Sequence, residues 1–220
     1  GDPPAGRVPF RERGMTFLAD LAGGQKTGFF LDQRENRHLV RGLGGGKSVL
    51  NLFSYSGAFG VAALAGGASR VTHVDVSAPA LALARENHAA NGQDLSRVET
   101  VAADAFEDLR ARVARGETWD VVVTDPPAFA KKTLDVDRAC RGYKDVNRLA
   151  LKLLAPGGLL LACSCSGPVS ADLFQKVLFA ASLDAGVPVR LLERRGAGPD
   201  HPVSIDCPET EYLKAFLLSR

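Results

Sequence analysis

Residues 48–59 read SVLNLFSYSGAF, a short apolar run that passes through small polar residues and a glycine into a helix-like stretch. The run is rich in β-branched and leucine residues, as in a parallel strand that is covered on both faces. In open α/β sheets a ligand usually lies outside the carboxyl ends of such strands. This stretch therefore predicts the first strand of a parallel sheet and the edge of the sheet at which a ligand binds.

The same alternation of strand and helix continues along the chain and predicts an α/β fold with a doubly wound, mostly parallel, seven-stranded sheet. Five runs are interpreted as its parallel strands: Ser48 to Phe53, Arg70 to Val76, Val98 to Ala102, Trp119 to Thr124 and Gly158 to Ser164. Helices are predicted from the N-cap Ser77 to Asn91-Gly92 and over Phe106 to Val113, Tyr143 to Leu154, which Pro156-Gly157 should stop, and Ser170 to Ala185. An antiparallel hairpin closes the sheet with Val187 to Glu193 and Glu211 to Ser219.

The first 47 residues fit this pattern less well, and we assign them to an amino-terminal appendage of the domain at residues 48–220. Within the appendage, Met15 to Leu18 and Gly28 to Leu31 predict a small β element. A helix is expected to follow, capped at Asp32 with Glu35 three residues later, which is the spacing of a capping box.

Composition limits the class of protein. The chain has 220 residues, of which 45% are hydrophobic and 24% charged, enough apolar material for the core of one domain. The net charge of +2 gives no global attraction to polyanions, so any basic surface has to be local. No stretch reaches the ~18 to 20 apolar residues that span a bilayer, and the polar amino end lacks the apolar core of a signal peptide. We therefore expect a cytoplasmic protein with no membrane contact.

Four cysteines without a CxxC pair are interpreted as free thiols, and no metal site is expected.

The turn after the first strand favours a nucleoside-type cofactor. A dinucleotide site would use GxGxxG so that a pyrophosphate can approach the backbone, but here only Gly57 lies inside the turn. One glycine among small polar residues suits an uncharged thioether or a sulfonium instead. Asp75, 18 residues after Gly57, can accept ribose hydroxyls, and Asp104 can accept from an adenine amino group. Both are also ordinary helix-starting carboxylates.

Two further groups at the predicted edge are suited to chemistry. The fourth strand ends in Asp125-Pro126-Pro127-Ala128-Phe129, a rigid corner at which Asp125 can bond a planar base and Phe129 can stack on it. A plain turn explains the prolines equally well. Cys165 follows the fifth strand and is a candidate nucleophile. Cysteines in strands are usually core residues, which is how we interpret Cys163.

The segment after Phe129 is locally basic, because residues 131–152 carry seven Lys or Arg against three Asp. This segment leaves from the same edge and would place phosphate-binding charge beside the reactive groups, as a nucleic-acid substrate requires. The candidate contacts are Lys131, Arg141 and Lys144. A solvated helix face is the alternative, above all for Lys144.

Several motifs in order resemble one known family. They are Ser54 to Phe59, Asp125 to Phe129, Cys140 to Asn147, Ser164 to Gly167 and Asp200 to Pro202, with similarity from Phe17 onward that includes Lys26 to Arg34. Together they resemble the bacterial large-subunit (23S) ribosomal RNA 5-methylcytosine methyltransferases, class I enzymes that use S-adenosylmethionine. Members usually carry an amino-terminal RNA-binding domain of PUA type, for which we expect no counterpart in these 220 residues.

The resemblance implies a role for each matching residue. The implied cofactor contacts are Phe53, Ser54, Tyr55, Ser56, Gly57, Asp75 and Asp104, with Thr27, Gly28 and Phe29 near the methionine end. The implied base motif is Asp125, Pro126, Pro127 and Phe129, and the implied nucleophile is Cys165. No role follows for His201. Ribosomal RNA is the expected partner, and a homodimer is the candidate assembly.

The implied reaction is methyl transfer to carbon 5 of cytosine through a covalent cysteine adduct. Three alternatives remain open at this point. Uracil carbon 5 can be alkylated by the same thiol addition, an exocyclic nitrogen would leave Cys165 structural, and a cofactor-binding RNA-associated protein would have no turnover. A nicotinamide dehydrogenase is disfavoured because the glycine fingerprint is missing.

Overall fold

The computed structural model describes residues 6–21 and 28–220. In these residues the main sheet has seven strands: β3 (Ser48–Leu52), β4 (Arg70–Asp75), β5 (Val98–Ala102), β6 (Trp119–Thr124), β7 (Leu154–Ser164), β8 (Arg190–Arg195) and β9 (Lys214–Ser219). Their order across the sheet is β5-β4-β3-β6-β7-β9-β8. Of these seven, β9 runs antiparallel to both of its neighbours. The predicted doubly wound, Rossmann-like α/β fold is confirmed.

The helices described in the same part of the chain are α1 (Arg34–Leu43), α2 (Ala58–Ala65), α3 (Ala78–Ala90), α4 (Ala105–Ala114), α5 (Val136–Lys152) and α6 (Ala171–Ala185). Successive side chains of a strand point to opposite faces of a sheet. Leu50 and Leu160 pack with residues of α4, α5 and α6, whereas Val49 and Leu161 pack with residues of α1 and α2. Helices therefore cover both faces, and the ends of the strands remain open for a ligand. None of the described helices has the length and apolar character needed to cross a membrane.

The closing hairpin is confirmed as antiparallel, but its second strand, β9, lies between β7 and its first strand, β8. β9 pairs with both β7 and β8, so β8 forms the edge of the sheet. In the register between β7 and β9, Lys214 lies opposite Ser164 and Ala215 lies opposite Cys163. The start of β9 is thereby placed beside the end of β7.

The predicted β element of the amino-terminal appendage is confirmed, but one of its two strands differs from the prediction. Met15–Ala19 forms strand β2, but its partner is β1 (Val8–Glu12) and not Gly28 to Leu31. Arg13 and Gly14 join the two strands with positive φ angles of 46° and 82°. A two-residue turn of this kind matches the twist of a hairpin, which explains why the local pairing forms.

The predicted cap at Asp32 is also wrong. A 3-10 turn over Leu31–Gln33 leads into α1, whose N-cap is Gln33. The Asp32 carboxylate instead accepts a hydrogen bond from the Tyr212 hydroxyl, 2.6 Å away.

Helix α5 starts at Val136, ahead of the predicted Tyr143, because Ala139, Tyr143 and Val146 are buried at helical spacing. Pro156, predicted to lie before the next strand, lies within β7. The register of β7 against β6 shifts at this place, where a proline is tolerated in a sheet.

A buried chain of polar side chains links β3 and β4 to the end of α3. The Asn51 amide nitrogen lies 3.1 Å from His73 Nδ1, His73 Nε2 lies 2.9 Å from His88 Nε2, and His88 Nδ1 lies 2.5 Å from Gln93 Oε1. Because an amide nitrogen only donates, every bond is satisfied when both imidazoles are neutral. Burial lowers the pKa of His88 to about 4 and holds the pKa of His73 well below its usual range.

We predict that stability falls as the pH drops from about 6.5 toward the His88 pKa of about 4. As the pH falls, His88 takes up a proton in the unfolded chain at a higher pH than in the folded protein. The stability that neutral His88 contributes is therefore complete above the unfolded pKa and decreases below it. At pH 5 this loss is about 2 kcal/mol relative to pH 7.5. Urea unfolding at the two pH values measures it. His88→Gln should remove this part of the pH dependence, whereas replacement of the exposed His38 by Gln should leave it. An unchanged pH dependence in His88→Gln would refute the assignment.

Candidate active site

A cavity of about 610 Å³ lies at the carboxyl ends of the central strands. Turns that follow β3, β4, β5, β6 and β7 form most of its wall, and residues before α1 and before β9 complete it. This volume is in the range of cavities that hold a small organic ligand. Of the predicted site residues, those that line the cavity are Phe29, Phe53, Ser54, Tyr55, Ser56, Asp75, Asp104, Asp125, Pro126, Pro127, Phe129, Lys131 and Cys165.

The loop after β3 has an unusual backbone. Phe53, Tyr55 and Gly57 have positive φ angles of 55°, 44° and 73°. A positive φ costs a residue other than glycine of the order of 1–3 kcal/mol and persists only where the surroundings enforce it. Here one enforcing contact is a hydrogen bond of 2.8 Å from the Tyr55 amide to the Asp75 carboxylate, whose other oxygen accepts from the Ser77 amide. Asp75 thus links the loop after β3 to the start of α3.

Asp104 starts a helix, as the sequence predicts, and also lines the cavity. It is the N-cap of α4, and its Oδ1 accepts hydrogen bonds from the amides of Phe106 and Glu107. The same residue is exposed at the cavity wall. A helix cap and a place beside a ligand are therefore compatible at this position.

Phe129 is half-buried and held by other rings. Its centroid lies 4.7 Å from that of Tyr143 and 6.2 Å from that of Phe106, which in turn lies 6.2 Å from Phe53. Gly142 gives the ring room, because a Cβ at that position would lie 3.1 Å from the Phe129 ring. The cavity thus has an aromatic wall whose ring positions are fixed by packing.

Cys165 is half-buried and lies against the proline corner. Its Sγ is 3.8 Å from the carbonyl oxygen of Pro126, to which the thiol can donate. Asp125 and Cys165 line the same cavity. Cys163, in contrast, is fully buried in the core, and burial raises the pKa of its thiol well above the usual range. Cys163 lies within β7, whereas Cys165 lies just beyond the last residue of the strand, where it lines the cavity.

Some predicted residues do not line the cavity. Gly57 is the N-cap of α2. Gly28 accepts a hydrogen bond of 3.3 Å from the Tyr55 hydroxyl through its carbonyl oxygen. Arg141 is exposed on α5, and Lys144 forms an ion pair of 2.9 Å with Asp184 of α6. Thr27 lies outside the described residues. The helix-face interpretation of Lys144 therefore fits its position better than a place in the cavity.

Asp32 and Tyr212 are among the cavity residues that were not predicted as site residues. Asp32 is buried, and no hydrogen-bond partner of its Oδ1 is found among residues 6–21 and 28–220. Its Oδ2 accepts from Tyr212, whose pKa is raised well above its usual range by burial and by this carboxylate. Position within the segment Lys26 to Arg34 was a signal available for Asp32. Tyr212 has no local signal, since 180 residues separate the two partners.

The chain is similar to known proteins over nearly its whole length. A family profile described as S-adenosylmethionine-dependent methyltransferase matches residues 3–219. The chain belongs to this family. The ribosomal RNA large subunit methyltransferase I of Serratia proteamaculans is 49% identical to this methyltransferase over 216 residues, and that of Aeromonas salmonicida is 47% identical over 218 residues. These matches include 98% and 99% of this chain but 54% and 55% of the relatives, so the chain spans about half the length of these curated relatives.

Solved structures share the architecture of this methyltransferase. The crystal structure of SMU.776 complexed with SAH matches all of this chain and 57% of its own, with a TM-score of 0.90 and 30% identity. Trm5b from Pyrococcus abyssi also matches the whole chain, with a TM-score of 0.72 and 17% identity. At that low identity the second likeness shows the fold alone.

Replacement of Gly57 by alanine tests the loop geometry. An added Cβ would lie 2.6 Å from the Cβ of Ala84, in a residue that already has a positive φ. Gly92 is a matched control, because its φ is also positive but nothing lies within 4 Å of an added Cβ. We expect Gly92→Ala to lose about 1 kcal/mol and Gly57→Ala about 1–3 kcal/mol more in urea unfolding. Equal losses in the two variants would show that Gly57 is not packed against α3.

Proposed function

We propose that this chain transfers a methyl group from S-adenosylmethionine to carbon 5 of a cytosine in ribosomal RNA, with Cys165 as the nucleophile. The observation that carries the proposal is a shared cavity. The half-buried thiol of Cys165 and the carboxylate of Asp125 line the same hollow as the loop that Asp75 holds. The cavity therefore contains a candidate nucleophile, Cys165, a candidate contact for the base, Asp125, and a candidate nucleoside site at Asp75.

The choice of ribosomal RNA is supported by the names of the relatives, which are ribosomal RNA large subunit methyltransferases I. Identity near one half extends over nearly all of this chain. A ribosomal RNA substrate would place the reaction in the cytoplasm. The candidate homodimer remains a prediction of the sequence.

The charges of the cavity suit this cofactor. Four carboxylates line it, those of Asp32, Asp75, Asp104 and Asp125. The lining also includes Lys131 and Arg37, and Arg37 is neutralised by a buried ion pair with Glu12. A ligand with a sulfonium and an ammonium group is favoured by such a wall, whereas a pyrophosphate is not.

Two cavity atoms are suited to a polar ligand. Ser54 Oγ and Asp32 Oδ1 are buried, and the part of the chain that the structure describes offers them no hydrogen-bond partner. Buried polar groups are rarely left unpaired in the functional state of a protein, so a ligand is a natural partner. We assign the loop after β3 and Asp75 to the ribose, Asp104 to the adenine side, and Asp32 with the Gly28-Phe29 segment to the methionine end.

The base site is assigned to the corner after β6. Phe129 offers a fixed ring face on which a pyrimidine can stack, and Asp125 offers a hydrogen-bond partner for its polar edge. Pro126 and Pro127 stiffen the backbone that carries both side chains. Lys131, exposed at the cavity wall, is assigned to a neighbouring phosphate.

Carbon 5 of cytosine is a poor nucleophile, so the ring has to be activated. S-adenosylmethionine, when bound, supplies an electrophilic methyl group on its sulfonium sulfur. The thiolate of Cys165 adds to carbon 6, and the electron pair of the C5–C6 double bond then makes carbon 5 nucleophilic. Once carbon 5 has taken the methyl group, with S-adenosylhomocysteine as the other product, its proton passes to water. The C5–C6 double bond then re-forms and the Cys165 thiolate leaves. Thiolate addition makes the ring negative, and Asp125 as the carboxylic acid would stabilise that charge by donating its O–H to the polar edge of the ring.

The deciding experiment incubates the protein with labelled S-adenosylmethionine and unmodified large-subunit ribosomal RNA and identifies the labelled nucleoside. We expect 5-methylcytosine. Cys165→Ala should abolish transfer and leave the affinity for S-adenosylhomocysteine nearly unchanged, because its thiol acts on the base. Cys140→Ala is the control, since this half-buried thiol lies outside the cavity lining.

Other products would overturn parts of the proposal. A 5-methyluridine product would move the target to uracil, and a methyl group on an exocyclic nitrogen would remove the need for a thiol adduct. RNA that remains unlabelled would favour a binding protein without turnover. Full activity of Cys165→Ala would exclude the covalent step.

Asp75→Asn should weaken cofactor binding. An asparagine keeps one acceptor oxygen, so one of the two backbone amides now held by Asp75 would face a donor instead. We expect at least a tenfold loss of affinity for S-adenosylhomocysteine by calorimetry, equivalent to about 1.4 kcal/mol. Asp94→Asn is the matched control, because Asp94 also accepts from a backbone amide, that of Ser96, but lies outside the cavity lining. Equal affinity in Asp75→Asn and the unaltered protein would contradict the assignment.

A further inference from the structure

Lys214 is a buried cation beside the end of strand β7. It is the first residue of β9 and lies opposite Ser164, the residue before Cys165. Only 5% of its surface is exposed. The two residues that precede it, Tyr212 and Leu213, line the cavity together with Cys165. Lys214 therefore lies directly behind the cavity wall.

The hydrogen bonds of Lys214 are made to neutral groups. Its Nζ donates to the carbonyl oxygens of Ser166 and Tyr212, at 2.7 and 2.8 Å. In the described part of the chain, the ion pairs within 4.0 Å do not include this lysine. A buried ammonium that is bonded only to neutral carbonyls is costly, and such a cost is usually retained for a purpose.

Electrostatics connect this cation with Cys165. Burial lowers the pKa of Lys214 to about 8, while Cys165 and Glu211 act in the opposite direction. Cys165 also interacts electrostatically with Cys163, Tyr143 and Tyr212. These three groups are neutral or, when ionised, negative, and the acids next to them are Asp125 beside Cys163 and Asp32 beside Tyr212. Among these groups Lys214 carries a positive charge, and a positive charge near Cys165 favours the thiolate form of its side chain.

We propose that Lys214 is a positioning residue that stabilises the thiolate form of Cys165 and fixes the end of β7 through its two carbonyl contacts. This inference rests on the proposed function, because a thiolate matters only where Cys165 attacks the base. The bond to Ser166 holds the backbone just after the thiol, and the bond to Tyr212 holds the opposite wall. One side chain thus supplies both the charge and the geometry.

The test follows the alkylation of Cys165 by iodoacetamide from about pH 5.5 to pH 10, read by peptide mass spectrometry on the intact chain. An unperturbed thiol has a pKa of about 8.5. We expect the midpoint for Cys165 to lie below that value and to rise by at least about one pH unit in Lys214→Met, a neutral side chain of similar length. The control is Lys176→Met, because Lys176 pairs with Asp172 on the exposed face of α6, and its midpoint should not move.

The rate at neutral pH should change less than the midpoint. A rise of one unit lowers the thiolate fraction about tenfold, but the more basic thiolate is about threefold more reactive. The net loss in Lys214→Met is then about threefold at pH 7. A midpoint at or above about 8.5 in the unaltered protein would overturn the inference even if Lys214→Met failed to fold.

Methyl transfer separates this inference from the proposed function. Lys214→Met should lower kcat near neutral pH and regain it as the pH rises, with KM for the RNA nearly unchanged, whereas Cys165→Ala should be inactive at every pH. If Cys165→Ala still methylates, the proposed function fails although the midpoint shift stands. If Lys214→Met has the midpoint of the unaltered protein, the role of Lys214 is refuted whatever Cys165→Ala shows.

Discussion

The carboxylate of Asp75 is the contact on which the site depends. Its two oxygens accept from the amides of Tyr55 and Ser77, and so connect the loop after β3 with the start of α3. That loop holds two residues other than glycine at positive φ, which is unfavourable unless something enforces it. Asp75 is in a position to do so, because parallel strands β3 and β4 end side by side. Strained backbone close to a ligand site is common in proteins, and here Asp75 supports it together with Asn87, whose side-chain amide donates to the carbonyl oxygen of Ser56.

The insertion of β9 between β7 and β8 has a comparable effect on the other half of the cavity. Because β9 runs antiparallel, its first residue meets the last residue of β7. A parallel strand in that position would bring its carboxyl end to the cavity and leave the start of the strand at the opposite edge. The antiparallel pairing is thus what places Tyr212 in the wall and Lys214 behind Cys165.

Features that depend on local sequence were predictable. Ser77 and Asp104 cap helices as expected, because a cap needs only a side-chain acceptor and nearby amides. The strand ends that carry Asp75, Asp125 and Cys165 were also predictable, since the carboxyl ends of parallel strands share one edge.

Features that depend on distant contacts were not predictable. The bond between Asp32 and Tyr212 joins residues 180 positions apart, so the local capping pattern around Asp32 led to the wrong assignment. Lys214 likewise gives no signal in the sequence, where a lysine normally indicates an exposed position. Only the strand order shows that it is buried.

The distribution of charge explains how one cavity can serve two oppositely charged ligands. The interior is acidic, with Asp32, Asp75 and Asp125 in the wall, and so suits a cationic cofactor. Of the basic segment after Phe129, Lys131 lines the cavity and the rest lies outside the lining. Part of the charge of the segment is already paired, as in Arg138 with Asp135 and Lys144 with Asp184. Such pairs attract a polyanion less than unpaired lysines do. Under the proposed function, discrimination among nucleotides would depend mainly on the fit of a single base against Phe129, because phosphate contacts carry no sequence information.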